Sequence, residues 1–415
     1  MQCPYSGATA SAEPIVIDPM VGDLDGETSR LVTAGPVARV ELLGVPAWSV
    51  THHEVARELL TDTRLVKDMN AWRLWTEGIV TYEWPLITMI DAGRSMFTVD
   101  GAEHRRLRAK VAQALTPRRL ESIRADVETF TRQLLDDVEA AGRDNSIVDL
   151  KTCFAQPLPM QVVSFLLHVP RDKQPWLAES YKKFFSMITP HDERIALLAE
   201  LDTWYMEFIA ERKAAPGEDV LSDLILADAG GRPLDDEEIL GNLKALIAAG
   251  HETTINLVLS ATRGLLTHPE QLELVLDGKV SWETVIEEAL RQDPPSTHLL
   301  MRFATEDIQI GDVTVPKGDG VVMSYRAICR DPRQHGDNAE EFDITRQAPI
   351  RHMAFGHGPH ICPGAALSRL EASIALPALF ERFPDLRLAV APEELRNLPV
   401  MTQNDLESFP VFLRN

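Results

Sequence analysis

The chain has 415 residues, 45% of them hydrophobic, and carries 41 basic against 63 acidic side chains, for a formal net charge of −22. This length allows a large buried core, and the acidic balance argues against nucleic acid or an anionic membrane as partner, because both bind clustered Lys and Arg. Four scattered cysteines show neither disulfide nor metal-finger spacing, and no stretch resembles a signal peptide or membrane span, so we expect a cytoplasmic protein with reduced thiols.

Hydrophobic periodicity predicts a mainly α fold with minor β. No Gly/Ser tract, repeat or low-complexity run divides the chain, so we predict a single domain, 1–415, whose first residues, 1–30, are irregular. In chain order, the pattern predicts a strand pair over 37–50, helices over 120–141, 220–229, 236–268 and 282–292, strands over 308–322, and a helix over 365–380.

A basic island interrupts the acidic chain between positions 104 and 119. It holds six cations: Arg105, Arg106, Arg108, Lys110, Arg118 and Arg119. Such a run is either a solvated helix face or a docking face that steers a charged partner by electrostatics. Both interpretations remain open from the residues alone.

The middle of the long helix is unusual, because Ala248 to Thr254 reads Ala-Ala-Gly-His-Glu-Thr-Thr. Glycine alone costs a helix about 1 kcal/mol, and a local cost of this kind indicates function. Small side chains let a flat ligand lie against the helix, and a Thr hydroxyl can bond back to the preceding turn. The alternative is a core helix that the glycine loosens, with a solvated glutamate.

Further on, Glu288 and Arg291 are three residues apart and share one helical face.

Residues 355–364 read Phe-Gly-His-Gly-Pro-His-Ile-Cys-Pro-Gly, immediately before the last predicted helix. We expect Pro363 at the first helical position and Cys362 beside the free N–H groups of that helix, which would lower the pKa of its thiol. Glycines on both sides of the cysteine would let something flat and bulky approach the backbone. The alternative is a buried, inert cysteine.

This pattern resembles the haem-ligand loop of the cytochrome P450 family, Phe-Gly-x-Gly-x-His-x-Cys-x-Gly, and the resemblance extends from about residue 30 to the C-terminus. It implies the single-domain P450 fold, with haem between the long central helix and the cysteine loop and its helix. It implies haem b, iron protoporphyrin IX, with the thiolate of Cys362 as axial iron ligand. Matched positions imply these further haem-binding residues: His104, Arg108, Ala249, Gly250, Thr253, Arg302, Phe355, Gly356, His360 and Gly364.

The resemblance also implies roles away from the haem ligand. Glu252 and Thr253 match the acid–alcohol pair that directs protons to bound dioxygen. Glu288, Arg291 and Arg346 match a buried structural charge cluster. The implied activity is hydroxylation of an unactivated C–H bond with O2 and two electrons, delivered by a ferredoxin and its ferredoxin reductase. We expect a monomer with the ferredoxin docking near Arg105, Arg106 and Lys110.

Alternatives to this activity are a peroxide-driven haem-thiolate enzyme and a haem-thiolate sensor. The intact Glu252–Thr253 pair argues against both, and a sensor would usually come with a partner domain. The Trp-rich segment 69–96 matches the variable loop that roofs the pocket, which favours a large hydrophobic substrate unless its rings only anchor the loop.

We favour a steroid over a macrolide or other polyketide, with Gln403 bonding an oxygen at its far end. Matched pocket-wall positions are Trp84, Ile87, Met89, Phe184, Met187, Ile188, Leu246, Ala249, Leu299, Leu300, Met401 and Gln403.

Overall fold

The computed structural model describes residues 13–347 and 350–414, so Cys3 and the first part of the 1–30 segment lie outside the described residues. Helices dominate the described chain, as predicted. They are α1 (Leu24–Thr33), α2 (His53–Leu59), α3 (Arg73–Thr76), α4 (Ile87–Ile90), α5 (Gly101–Ala114), α6 (Pro117–Ser122), α7 (Arg124–Ala141), α8 (Pro157–Leu167), α9 (Gln174–Phe185), α10 (His191–Ala214), α11 (Val220–Leu226), α12 (Asp236–Thr267), α13 (Pro269–Leu276), α14 (Trp282–Gln292), α15 (Tyr325–Cys329), α16 (Pro332–His335) and α17 (Ala365–Arg382).

The strands form a minor part of the fold. They are β1 (Ile15–Val16), β2 (Val37–Leu42), β3 (Val45–Val50), β4 (Leu65–Val66), β5 (Val148–Asp149), β6 (His298–Ala304), β7 (Ile308–Ile310), β8 (Val313–Val315), β9 (Gly320–Ser324), β10 (Arg387–Leu388) and β11 (Pro410–Phe412). The main sheet has the order β1-β2-β3-β9-β6-β4. A second sheet has the order β10-β11-β5, and β7 pairs with β8.

The predicted strand pair over 37–50 is confirmed as the hairpin β2–β3, in which Val37 pairs with Val50. Its turn residues Leu43 and Gly44 both have positive φ, 49° and 79°, the conformation that matches the twist of a two-residue hairpin. Strand β9 then joins β3 in parallel and β6 antiparallel, so the sheet carries β6 towards the cavity described below.

The long helix α12 runs over 32 residues, about 48 Å, close to its predicted bounds. It begins with a capping box, in which Asp235 accepts from the backbone of Glu238 and the Glu238 side chain accepts from the backbone of Asp235. Most of its side chains are buried, and it packs against α8, α10, α14 and α17. This helix therefore crosses the centre of the helical core.

Three boundaries differ from prediction. The 1–30 segment is not irregular throughout, because α1 begins at Leu24, where Asp23 accepts from the Gly26 N–H as N-cap. The helix predicted over 120–141 is α7, which begins only at Arg124 after the separate helix α6. The helix predicted over 220–229 ends at Leu226.

None of the helices formed by residues 13–347 and 350–414 combines the length and apolar character needed to cross a bilayer.

Glu288, Arg291 and Arg346 lie together, as the resemblance implies. Arg291 donates through Nε and Nη2 to the two Glu288 oxygens at 2.8 Å each, and Arg346 Nε donates to Glu288 Oε1 at 3.1 Å. The other Arg291 donors reach backbone carbonyls. This complete pairing explains how the fully buried pair is tolerated.

Candidate active site

Cys362 lies on a loop whose backbone shape depends on glycine. Gly356 and Gly358 both have φ of 72°, and a Cβ at Gly358 would lie 2.9 Å from the Leu60 carbonyl oxygen. The Cys362 N–H donates to the Phe355 carbonyl at 2.8 Å, which closes the loop. A Cβ at Gly364 would sit 3.8 Å from the Cys362 sulfur.

Two expectations about this cysteine are wrong. The first helical residue is Ala365, with Gly364 as N-cap, so Pro363 lies in the turn before the helix. Burial raises the pKa of the Cys362 thiol, although the N–H groups of Gly364 and Ala365 and the charge of Arg108 favour the thiolate. Desolvation of the thiol therefore outweighs the effect of the helix N-terminus.

One cavity separates this loop from the middle of α12. Ala249, Gly250 and Thr253 line it from the α12 side, and Gly250 is so close to α8 that a Cβ would lie 3.5 Å from Val163. The Thr253 hydroxyl donates to the Ala249 carbonyl at 2.7 Å, the back-bond expected from the sequence. The predicted residues that meet in this cavity are Leu246, Ala249, Gly250, Thr253, Leu299, Phe355, Gly356, His360, Cys362 and Gly364.

Basic side chains gather at one end of this space. The rings of His104 and His360 lie 4.1 Å apart, and His360 Nε2 is 3.0 Å from Asp100 Oδ1. Burial, together with His360, lowers the pKa of His104 to about 4. Among the described residues, the buried Arg302 side chain makes a single long hydrogen bond, 3.4 Å from Nη1 to the Leu65 carbonyl.

Two residues at this end were missed by the sequence analysis. The Lys67 backbone N–H donates to Asp100 Oδ2 at 2.5 Å, and its Nζ donates to the Leu300 carbonyl at 3.3 Å. Burial, with Arg302 nearby, lowers the pKa of Lys67 to about 7. Nothing in the sequence distinguishes Lys67 from a surface lysine. The position of Asp100, as N-cap of the helix that carries His104, was the available signal.

The residues present fit an iron protoporphyrin. The cavity offers a thiol on one face and small side chains on the other, as a flat macrocycle with a thiolate ligand requires. Within the described part of the chain, His104 Nε2 is buried without a hydrogen-bond partner, and no carboxylate hydrogen-bonds Arg108 or Arg302. Two ligand carboxylates would satisfy these groups.

The proposed pocket walls are only partly on this cavity. Leu246, Ala249 and Leu299 line it, and Met89 and Leu300 line the adjoining space beside Lys67 and Arg302. Met187 packs at the edge of the core cluster that contains the roof segment, and Phe184 packs edge-to-face against Phe185. Gln403 is buried, with its Oε1 lacking a hydrogen-bond partner.

Trp84 and Ile87, within the roof segment, belong to a buried core cluster and do not line the two cavities described above. The Trp84 indole Nε1–H donates to the Leu42 carbonyl at 3.3 Å, and the ring packs against Trp72. Met401 lies in the same core, whereas Ile188 is 66% exposed. The interpretation that these rings anchor the segment therefore holds for Trp84.

We expected a ferredoxin to dock near Arg105, Arg106 and Lys110. For Arg106 and Lys110 this expectation is wrong, because both side chains are buried. Lys110 is fully buried and its Nζ donates to the carbonyls of Ala227 and Gly231 at 3.0 Å each. Arg106 is buried and pairs with Glu103 and Glu238. Only Arg105 is exposed, because α5 turns its 106 and 110 positions inward.

Known proteins resemble this chain over nearly its whole length. The family model "Cytochrome P450" matches residues 282–400. The 2-hydroxy-5-methyl-1-naphthoate 7-hydroxylase of Streptomyces carzinostaticus is 39% identical, over 97% of this chain and 98% of that protein. Cytochrome P450 monooxygenase PikC of Streptomyces venezuelae is 34% identical, over 99% and 97%. The testosterone-bound structure of CYP154C4 from Streptomyces sp. ATCC 11861 is 53% identical, with a TM-score of 0.94 over 97% of this chain and 99% of that chain.

Proposed function

Because this chain belongs to the cytochrome P450 family of monooxygenases, we propose that it inserts one oxygen atom into an unactivated C–H bond of a steroid. The observation that carries the proposal is the solved relative, 53% identical along nearly the whole chain, that was determined with testosterone bound. The apolar walls contributed by Leu246 and Leu299 support it, since such walls suit a hydrophobic polycycle.

The family implies haem with a cysteine thiolate ligand, and haem bound through Cys362 would supply the activation of dioxygen. The residues of the chain position the substrate, exclude water from the cavity and deliver protons. Ala249 and Gly250 would leave room for the macrocycle beside α12, and the apolar walls exclude water from the cavity. The Thr253 hydroxyl holds a proton at Oγ1 within the cavity, and Glu252, one residue earlier and buried, is its proposed source.

Gln403 is the proposed polar contact for the far end of the substrate. Its buried Oε1 has no partner, and the amide presents either an acceptor or, after a flip, a donor. A steroid hydroxyl or keto oxygen satisfies one or the other. A substrate that reached this amide would be fixed in orientation, because a buried amide left unpaired is costly.

Electrons are proposed to come from a ferredoxin docked beside the cysteine loop. Of the three docking residues expected from the sequence, Arg105 is retained, and exposed Arg118 lies on the next helix. An acidic ferredoxin would be steered by these cations, so the reaction rate should fall as salt rises. Charge reversal in R105E should raise the KM for ferredoxin without changing substrate affinity.

The test begins with purified holoprotein. The reduced carbon monoxide complex should show the red-shifted Soret band of thiolate-ligated haem, and testosterone should convert ferric enzyme from low to high spin. Ferredoxin-supported turnover should then yield a mono-hydroxylated steroid by mass spectrometry. In Q403A the testosterone affinity should fall severalfold, whereas the exposed control Q347A should bind as wild type. A normal thiolate band with no response to testosterone would contradict the substrate proposal.

A polyketide is the second candidate substrate class. The 39% identical naphthoate hydroxylase and the 34% identical 6-deoxyerythronolide B hydroxylase of Saccharopolyspora erythraea support it. The same spin-state titration with 2-hydroxy-5-methyl-1-naphthoate and 6-deoxyerythronolide B distinguishes the two. A response to either polyketide without a response to testosterone would replace the steroid by this class.

A further inference from the structure

Four buried ionisable side chains lie near one another beside the turn of α12 that carries Thr253, where a short π-helix packs against α12. His251 and Glu252 belong to α12, Lys151 begins a short π-helix (Lys151–Ala155), and Asp405 lies in the segment before β11. Their exposed fractions are 0%, 6%, 5% and 4% in that order. A π-helical turn is rare and often marks a functional site. We call this set the relay cluster.

The contacts hold Asp405 firmly. Lys151 Nζ donates to Asp405 Oδ1 at 2.7 Å and to the Leu406 carbonyl at 2.5 Å. Asp149 is not part of the cluster, because its Oδ1 accepts from the N–H groups of Lys151 and Phe409. On α12, His251 Nδ1 is 3.3 Å from Glu252 Oε1, too poorly aligned for a hydrogen bond, and both ring nitrogens lack a partner.

The charges of the relay cluster do not cancel when both carboxyl groups are ionised. Two carboxylates face one lysine, and the surplus negative charge is buried, so binding one further proton is favoured. Burial raises the pKa of Asp405 to about 6; Lys151 opposes this shift and Glu252 adds to it.

We propose that Asp405, held by Lys151, is the outer station of a proton relay that refills Glu252 during turnover. Asp405 acts through Glu252 and is therefore a positioning and relay residue. The exposed residues Thr152 and Glu407 flank the Lys151–Asp405 pair in sequence, so solvent lies close to the outer end. This inference rests on the proposed roles of Glu252 and Thr253.

The proton balance is simple. Each turnover converts substrate C–H, O2, two electrons from the ferredoxin and two protons into C–OH and water. Protonated Asp405 gives its proton to the Glu252 carboxylate, Glu252 passes it towards Thr253, and a second cycle of the relay delivers the second proton. Solvent reprotonates Asp405, and no other oxidant or reductant is needed.

A spectroscopic test needs no turnover. In the substrate-free ferric holoenzyme labelled with 13C-aspartate, infrared difference spectra should show one protonated aspartate carboxyl that titrates near pH 6. E252Q should lower this midpoint, because it removes the neighbouring negative charge. D405N should abolish the band, and the control D319N, at another buried aspartate paired with an arginine, should leave it. No titrating aspartate, or a midpoint unmoved in E252Q, would overturn the inference.

Kinetics provide the second test, with the substrate that gives the spin change above. D405N should lower the product formed per NADPH severalfold and raise the solvent deuterium isotope effect, while D405E and D319N should behave as wild type. Turnover driven by hydrogen peroxide should be unchanged in D405N, because peroxide brings its own protons. If E252Q and T253A couple normally, the proposed roles of that pair fail and the relay with them. If E252Q and T253A both form less product per NADPH but D405N does not, the relay alone is wrong.

Discussion

Several basic side chains are buried at one end of the cavity, although the molecule as a whole is acidic. Arg302 is 4% exposed and His104 3%, yet neither has a hydrogen-bonded carboxylate among the residues described. Burying such groups unpaired is costly, and the two carboxylates of an iron protoporphyrin would account for their placement. Arg108 completes the set, one helical turn after His104.

The contribution of Arg108 can be separated from that of its neighbour Arg105. R108L removes a charge-assisted hydrogen bond worth about 1.5–3 kcal/mol, so haem should dissociate roughly tenfold to a hundredfold more readily. Transfer of haem to apomyoglobin measures this. R105L removes the same charge from the exposed side of the same helix and should retain haem. Equal loss from both variants would contradict the assignment.

At the scale of elements, charge clusters fasten helices to the segments around the cavity. Glu238, at the start of α12, accepts from Arg106 of α5 and from Arg94 in the segment before it. Gly241 makes the approach possible, since a Cβ there would lie 2.4 Å from the Arg94 carbonyl oxygen. The beginning of α12 is therefore tied to the roof by both charge and close packing.

This tie should weaken in acid. Burial tends to raise the pKa of Glu238, but hydrogen bonds from Arg106 and Arg94 lower it from 4.5 to about 2. A depressed carboxyl pKa contributes stability above the unfolded value, and that stability is lost as pH falls from about 4.5 through about 2. E238Q should therefore reduce the free energy of unfolding at neutral pH and flatten its fall below pH 4.5. Parallel acid limbs in denaturant titrations of E238Q and wild type would contradict this.

The pair Glu288–Arg291 fastens α14 to the segment that leads to the cysteine loop. E288Q leaves the fully buried Arg291 without its counter-charge, at a cost of about 3–5 kcal/mol. We expect loss of haem incorporation, visible as missing Soret absorbance in the purified protein and a lower urea midpoint. E283Q changes an exposed glutamate on the same helix and should be neutral. Normal haem content in E288Q would refute the prediction.

On the scale of the whole molecule, hydrogen bonds join three segments that are distant in sequence: the roof segment, the α9–α10 connection and the C-terminal segment. Arg194 of α10 is 1% exposed and donates to the carbonyls of Pro85 at 2.8 Å, Ser186 at 2.6 Å and Thr189 at 3.3 Å. The Met187 N–H donates to the Pro399 carbonyl at 2.7 Å. The roof segment, the α9–α10 connection and the C-terminal segment are thus joined around one buried cation.

Loss of Arg194 should loosen these connections. In R194M, amide hydrogen exchange should accelerate in 82–92 and 186–190, while α12 stays protected, because only the joining hydrogen bonds are removed. The dissociation constant for substrate should rise severalfold. The exposed control R171M should match wild type in both measurements. Unchanged exchange in the two segments would show that Arg194 does not hold them.

Features set by neighbouring residues could be read from the sequence. The β2–β3 hairpin, the capped start of α12, the Ala249–Thr253 turn and the glycine-bounded Cys362 loop depend on contacts over a few positions. Burial could not be read in the same way. The sequence could not show that Arg106 and Lys110 face inward, or that Trp84 anchors the roof segment.

The sequence by itself determined the family, and it supplied the candidate iron ligand and the candidate acid–alcohol pair, because these motifs are local in the chain. Only the tertiary structure decided which cations lack partners, where Lys67 lies, and that Lys151 and Asp405 meet beside Glu252. Those contacts span up to 254 positions. They depend on how helices and loops pack, and the packing buries some charges and exposes others of the same residue type.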